Sequence, residues 1–169
     1  MTITAVGSDH GILCAGDNML LHPAEEEKAL FDTMRQEGVV VFDKPEDVDK
    51  FREVLFVNGK SNPALVGKDA PVIAKAAGFD IPESTKVIAL KVSAVGSADI
   101  LNKEIMGPVV VTKGYDTFEE AVAMAIQNMT ESGGIGHTAG IFSNDEEHIR
   151  YYSERIPVAR VLVNQPTPD

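Results

Sequence analysis

The 169-residue chain carries one cysteine, Cys14, within His10-Gly11-Ile12-Leu13-Cys14-Ala15. A lone cysteine has no internal disulfide partner, so its thiol serves either as a small buried apolar group or as a nucleophile. Burial is the commoner use of a free cysteine read alone. The nucleophilic use suits a short glycine-containing turn, which projects sulfur into a cleft while nearby N–H groups face a developing oxyanion.

Three further segments hold residues able to do chemistry. Glu104-Ile105-Met106-Gly107-Pro108 places a carboxylate just before a turn that leads into a strand. A carboxylate at the mouth of a cleft accepts two hydrogen bonds from a vicinal diol such as a ribose, and otherwise is a solvated acid on a loop. Gly133-Gly134-Ile135-Gly136-His137-Thr138 combines a bendable backbone with an imidazole that exchanges protons near neutral pH. It runs from a helix into a strand, the reverse of the nucleotide-binding fingerprints, so a helix cap followed by a turn accounts for its glycines. His137 is then either a proton-transfer group or a hydrogen-bonded structural histidine. The third segment, from Arg160 through Asn164 to Pro168, reads as a strand ending in a proline-bounded loop at a sheet edge, where α/β folds place ligands. Asn164 there either orients a substrate or pins the loop. His10, His22 and His148 have no metal-ligand spacing and read as solvated or capping, so no metal site is expected.

The elements that must position these residues follow from periodicity and punctuation. Helices are predicted over 22–38 with Pro23 in the first turn, from Asp43 to Gly59 with Pro45 in the first turn, over 69–77, from the capping box at Asp116 to Glu120 as far as Gly133, and over 144–155. Strands are predicted over 39–42, 62–66, 86–92, 109–111, 139–142 and 160–163. Short apolar strands alternating with amphipathic helices indicate one α/β domain, a three-layer αβα sandwich with a mostly parallel sheet covered on both faces.

Composition narrows the partners. The formal net charge of −11, from 26 acidic against 15 basic residues, repels polyanions and makes nucleic acid an unsuitable partner. With no tryptophan and 6% aromatic residues, the chain lacks the stacking surface of a single-strand binder. One cysteine and no basic, apolar leader point to a reducing, cytoplasmic setting without membrane contact.

In this order, Cys14, Glu104-Ile105-Met106-Gly107-Pro108, Gly136-His137-Thr138 and Val163-Asn164-Gln165-Pro166-Thr167-Pro168 resemble the catalytic half of the aldehyde dehydrogenase superfamily. Cys14-Ala15, Val57-Asn58-Gly59, Asn62-Pro63-Ala64, Ala76-Ala77-Gly78-Phe79 and Ile81-Pro82 are similar to the CoA-acylating branch, including the aldehyde dehydrogenase part of bifunctional aldehyde/alcohol dehydrogenases. The resemblance implies the aldehyde dehydrogenase catalytic-domain fold and conversion of a small aldehyde to an acyl-CoA through a cysteine thiohemiacetal and thioester. NAD or NADP and coenzyme A are the implied cofactor and co-substrate. By the same resemblance Cys14 is the nucleophile, His137 a proton-transfer group, Glu104 with Gly107 and Pro108 the cofactor-ribose loop, and Asn164 a substrate contact. In that family the nucleotide-binding domain lies mostly ahead of the cysteine, so residues 1–169 are expected to be a catalytic-domain fragment lacking that domain and a C-terminal tail. The fragment is expected to be inactive or weakly active alone, and its parent a homo-oligomer. The alternatives are a hydrolytic aldehyde dehydrogenase that releases a free acid and a non-catalytic remnant serving as a binding or assembly module.

Overall fold

The computed structural model describes residues 18–165. Its elements run β1 (Met19–Pro23), α1 (Glu27–Gln36), β2 (Val40–Phe42), α2 (Pro45–Leu55), β3 (Phe56–Val57), β4 (Lys60–Ser61), α3 (Ala70–Ala76), β5 (Ile88–Lys91), β6 (Val109–Tyr115), α4 (Phe118–Ser132), β7 (Thr138–Ile141), α5 (Glu146–Arg155) and β8 (Arg160–Val163). The main sheet has the order β1-β6-β5-β2 and is parallel throughout, with Met19 opposite Val111, Ile88 opposite Val109 and Val40 opposite Ile88. β7 and β8 form a second parallel pair, and β3 and β4 an antiparallel hairpin.

Strand alternation divides the apolar residues between two layers of helix. On one face Val87, Ala89 and Val110 pack with Phe31 and Met34 of α1. On the other, Ile88, Leu90, Val109 and Val111 pack with Val48, Phe51 and Leu55 of α2 and Ile73 of α3. Phe51 is fully buried and lies 4.7 Å, centroid to centroid, from Phe42. A third cluster joins Val122 of α4, Ala139 and Ile141 of β7, and Tyr152 of α5. The result is the αβα sandwich with a mostly parallel sheet that the alternation predicts.

Several element boundaries differ from the local reading. His22 and Pro23 belong to β1, not to a helix, because their partners are Gly114 and Tyr115 on β6 and Pro23 has an extended ψ of 131°. α1 begins only at Glu27, after a short 3-10 turn over Ala24–Glu26. His22 is buried, not solvated: its Nδ1 lies 3.0 Å from the Pro23 carbonyl and its Nε2 4.0 Å from Glu27 Oε2. α2 ends at Leu55 rather than Gly59, since Asn58 and Gly59 adopt φ of 52° and 76° and turn the β3–β4 hairpin. Residues 62–66 form turns instead of a strand. There Asn62 Oδ1 accepts the Ala64 N–H at 3.0 Å, and Asn62 Nδ2 donates to the Val54 carbonyl at 2.9 Å. α5 is capped by Asp145, which accepts from the N–H groups of Glu147 and His148, rather than started by Asn144. His148, half-buried, stacks its ring on Phe118 at 4.0 Å.

Candidate active site

The Glu104 loop enters β6 through two tight turns, the Gly107 N–H donating to Ile105 O at 2.9 Å and the Val109 N–H to Gly107 O at 2.7 Å. Gly107 is buried, and a Cβ there would sit 3.1 Å from Ile73 Cδ1, a contact tight enough to require Ile73 to shift. Pro108 is also buried, and its carbonyl accepts the Ile88 N–H at 2.9 Å. The backbone groups of Gly107 and Pro108 are thus spent on shaping the loop and starting the sheet.

Glu104 is exposed, and its carboxylate makes no hydrogen bond or ion pair with another described residue. What holds the residue is its neighbours. Asn18 Nδ2 donates to the Lys103 carbonyl at 3.1 Å and reaches the Asn102 carbonyl at 3.5 Å, while Asn18 Oδ1 accepts the Ile105 N–H at 3.1 Å. Asn102, 2% exposed, in turn donates from Nδ2 to the carbonyls of Ala94 and Gly96, each at 3.0 Å. Neither Asn18 nor Asn102 carries a local motif, and the Asn18 contacts span 84 to 87 positions, which is why sequence reading missed them.

The same framework continues to the glycine-rich bend. Gly96 donates its N–H to Asn128 Oδ1 at 3.0 Å, and Glu131 Oε2 accepts from Ser97 N at 2.8 Å and Ser97 Oγ at 2.9 Å. Gly96 has φ +65°, and a Cβ there would stand 2.9 Å from Glu131 Cδ, so the turn and α4 fit together only with glycine. The two Ser97 donors hold the Glu131 carboxyl below the usual carboxylate range. α4 is fixed at its start by the predicted capping box, in which Thr117 Oγ1 accepts the Glu120 N–H at 3.2 Å and Glu120 Oε2 accepts the Asp116 N–H at 2.8 Å. Its end at Ser132 leads straight into the bend.

His137 is exposed at the entry to β7. Its carbonyl accepts the N–H groups of Ala159 and Arg160 at 3.0 and 3.2 Å, and the Gly136 N–H donates to Pro157 O at 2.8 Å. These bonds fix the backbone and leave the imidazole without a hydrogen bond to another described residue. Asn164 lies beyond the end of β8, so His137 and Asn164 stand at opposite ends of the β7–β8 pair, about 16 Å apart along the strands. Asn164 Nδ2 donates to the Ser143 carbonyl at 2.8 Å, and its Oδ1 accepts the Ser143 N–H at 2.9 Å, with φ +55°. Both functions of its amide therefore clamp the turn after β7. Cys14 and residues 166–168 lie outside the described residues.

A separate depression of about 330 Å³ opens at the carboxyl end of β5, lined by Lys91, Ser93, Arg52 and Asp99 among others. Arg52 is committed there: Nε to Asp99 Oδ1 at 3.0 Å, Nη2 to Asp99 Oδ2 at 2.5 Å and Nη1 to Asp49 Oδ1 at 2.6 Å. Lys91 is held by Glu27 at 2.6 Å. Among the described residues no group of three or more His, Cys, Asp or Glu side chains could hold a metal ion, and no helix is long and apolar enough to cross a membrane.

Comparison with known proteins places this framework. The aldehyde dehydrogenase family model matches residues 90–169. The chain is 43% identical over 164 residues to succinate-semialdehyde dehydrogenase (acetylating) of Clostridium kluyveri, covering 97% of this chain and 36% of that enzyme. It is 30% identical over 162 residues to an aldehyde-alcohol dehydrogenase of Clostridium acetobutylicum, covering 94% of this chain and 19% of that protein. In fold it superposes on an acetylating aldehyde dehydrogenase from Geobacillus thermoglucosidasius with a TM-score of 0.89 and 28% identity, over 98% of this chain and 37% of the other. The chain therefore spans little more than a third of the length of the acetylating relatives it matches. The chain is thus similar to acetylating aldehyde dehydrogenases in sequence and in three-dimensional arrangement, and its residues 90–169 match the aldehyde dehydrogenase family.

Proposed function

We propose that the chain is the cysteine-bearing part of a CoA-acylating aldehyde dehydrogenase that converts a small aldehyde to an acyl-CoA. The observation that carries this reading is the 43% identity to an acetylating enzyme along 97% of the chain. That stretch contains all the residues assigned below.

The residues present suit a nicotinamide dinucleotide. An uncommitted carboxylate on an exposed loop whose neighbours are pinned, as Glu104 is, can take both hydroxyls of a ribose without first losing a partner. When bound, the dinucleotide supplies the acceptor for the hydride that the substrate carbon gives up. The rest is this chain's own work. The Cys14 thiolate attacks the aldehyde carbon, a C–S bond forms, and the carbonyl pair moves to oxygen to give a thiohemiacetal. The Cys14 N–H is suited to face that oxygen. As the electron pair on that oxygen re-forms the carbonyl, the carbon-bound hydrogen leaves as hydride and a thioester remains on Cys14. The thiol of coenzyme A gives up its proton to His137, attacks the thioester carbon and expels the Cys14 thiolate. His137 has an exposed imidazole on a backbone fixed from both sides, which suits a group that must accept and release a proton at a set position. Asn164 bears on the substrate through the turn it clamps.

The test is the acyl-transfer half-reaction, which needs no hydride transfer. On mixing the chain with acetyl-CoA or propionyl-CoA, intact-mass detection should find one acyl group on the wild type, with release of CoA, and none on Cys14→Ser. The absence of a cysteine-dependent adduct both on the folded chain and on the full-length enzyme that carries it would refute the assignment of acyl transfer to these residues, whereas an adduct missing from the chain alone would put CoA binding or thiol activation in the rest of that enzyme.

A further inference from the structure

The hold of Asn18 on the Glu104 loop has a division of labour. The Asn18 backbone carbonyl accepts the Val111 N–H at 3.0 Å and so belongs to the β1–β6 ladder, whereas the side-chain hydrogen bonds among the described residues all go to the loop. The contacts fall on either side of Glu104, on the Lys103 carbonyl before it and the Ile105 N–H after it. Asn18 is also four positions from Cys14. A single amide thus ties the start of β1, which follows Cys14 in sequence, to the segment that bears the free carboxylate. Other attachments of the loop, among them Gly67 N–H to Met106 O at 2.9 Å, Lys103 Nζ to Gly59 O at 3.3 Å and Asn102 Nδ2 to the carbonyls of Ala94 and Gly96, do not involve β1.

We propose that Asn18 is a positioning residue for the cofactor: it fixes the Glu104 carboxylate relative to β1, and hence the nicotinamide ribose relative to the segment that carries the nucleophile. The inference rests on the reading of Glu104 as the ribose ligand given above. Because the ladder holds the Asn18 backbone independently, truncating the side chain frees the loop and leaves β1 in place. Dinucleotide use should therefore suffer while acyl transfer to Cys14, which needs no dinucleotide, should not.

The experiment compares Asn18→Ala, Asn18→Asp, Glu104→Ala and the Asn18→Ala/Glu104→Ala double variant in the enzyme carrying this chain. Three quantities are read: amide hydrogen exchange at Ile105 and Val111, the KM for NAD in NADH formation, and the rate of Cys14 acylation by acetyl-CoA. Asn18→Ala should speed exchange at Ile105 about tenfold without moving Val111, and raise the KM for NAD about tenfold with acylation within about twofold of wild type. Asn18→Asp keeps the acceptor for Ile105 and loses the donor to Lys103, and should fall between Asn18→Ala and wild type. The double variant should be no worse than Glu104→Ala. A normal KM in Asn18→Ala and Asn18→Asp, when Glu104→Ala raises it, overturns the inference alone. So does acylation that slows in step with the rise in KM. A normal KM in Glu104→Ala overturns the ribose-binding reading and this inference with it.

Discussion

Thr112 lies in the middle of β6, fully buried, and its hydroxyl has no hydrogen-bond partner among the described residues. It faces the same side of the sheet as Val110, toward α1, and its register partner on β1 is Leu20. Replacing Thr112 with Val keeps the β-branched shape that the central strand favours and removes the stranded hydroxyl. Burying a hydroxyl without a partner costs about 1–3 kcal/mol on the protein mutational scale. Part of that cost is avoided by any hydrogen bond the hydroxyl finds in fluctuations, so a gain of about 1 kcal/mol is the reasoned value, equivalent to a rise of about 2–4 °C in Tm for a chain of this size. Urea unfolding followed by far-ultraviolet circular dichroism measures it, the chain having no tryptophan for fluorescence. Thr112→Ser, which keeps the hydroxyl and loses a methyl, should be destabilised by about 1 kcal/mol. The neighbouring His22 Nε2 is likewise buried without a hydrogen-bond partner. A Thr112→Val variant less stable than wild type would refute the reasoning, since it would mean that the hydroxyl is satisfied in the folded protein.

Three other outcomes follow from the contacts described. Asn164→Ala loses two hydrogen bonds to Ser143 and places alanine at φ +55°, whereas Asn164→Gly loses only the bonds; Ala should therefore cost about 1 kcal/mol more than Gly in urea unfolding, and equal losses would discount the backbone contribution. Asp99→Asn removes the charge facing Arg52 but retains an acceptor for the Leu101 N–H, and should destabilise by about 2–3 kcal/mol, below the full cost of breaking a buried pair because Arg52 keeps Asp49. Glu131 has a folded pKa below its ordinary 4.5, so its contribution is present above pH 4.5 and is lost as pH falls through the folded value. The stability difference between wild type and Glu131→Gln should accordingly shrink on acidification below 4.5, and a difference that is constant with pH would contradict the Ser97 anchoring.

What the sequence determined by itself is whatever is encoded within a few residues. The capping box of α4, the positive-φ glycine after α3 and the apolar runs of β5 and β8 depend on contacts three or four positions apart or on side-chain type, and each element stands where these signals place it. The residues of the candidate site were likewise legible as types: an acid before a turn, a histidine after glycines, an asparagine after a strand. Tertiary structure decided their circumstances. Local signals read His22-Pro23 as the start of a helix, and only the β6 ladder some ninety residues away draws them into a strand, because pairing energy outweighs a weak local preference. The Asn164 amide is tied to Ser143, 21 positions earlier, so its clamping geometry exists only once β7 and β8 have paired. Asn18, which carries no motif, becomes the tie between the start of β1 and the Glu104 loop because the parallel β1–β6 register sets it beside a loop 84 to 87 positions away. Hydrogen bonds across such spans leave no periodicity for a sequence to display, since the chain between them is free to be anything that folds.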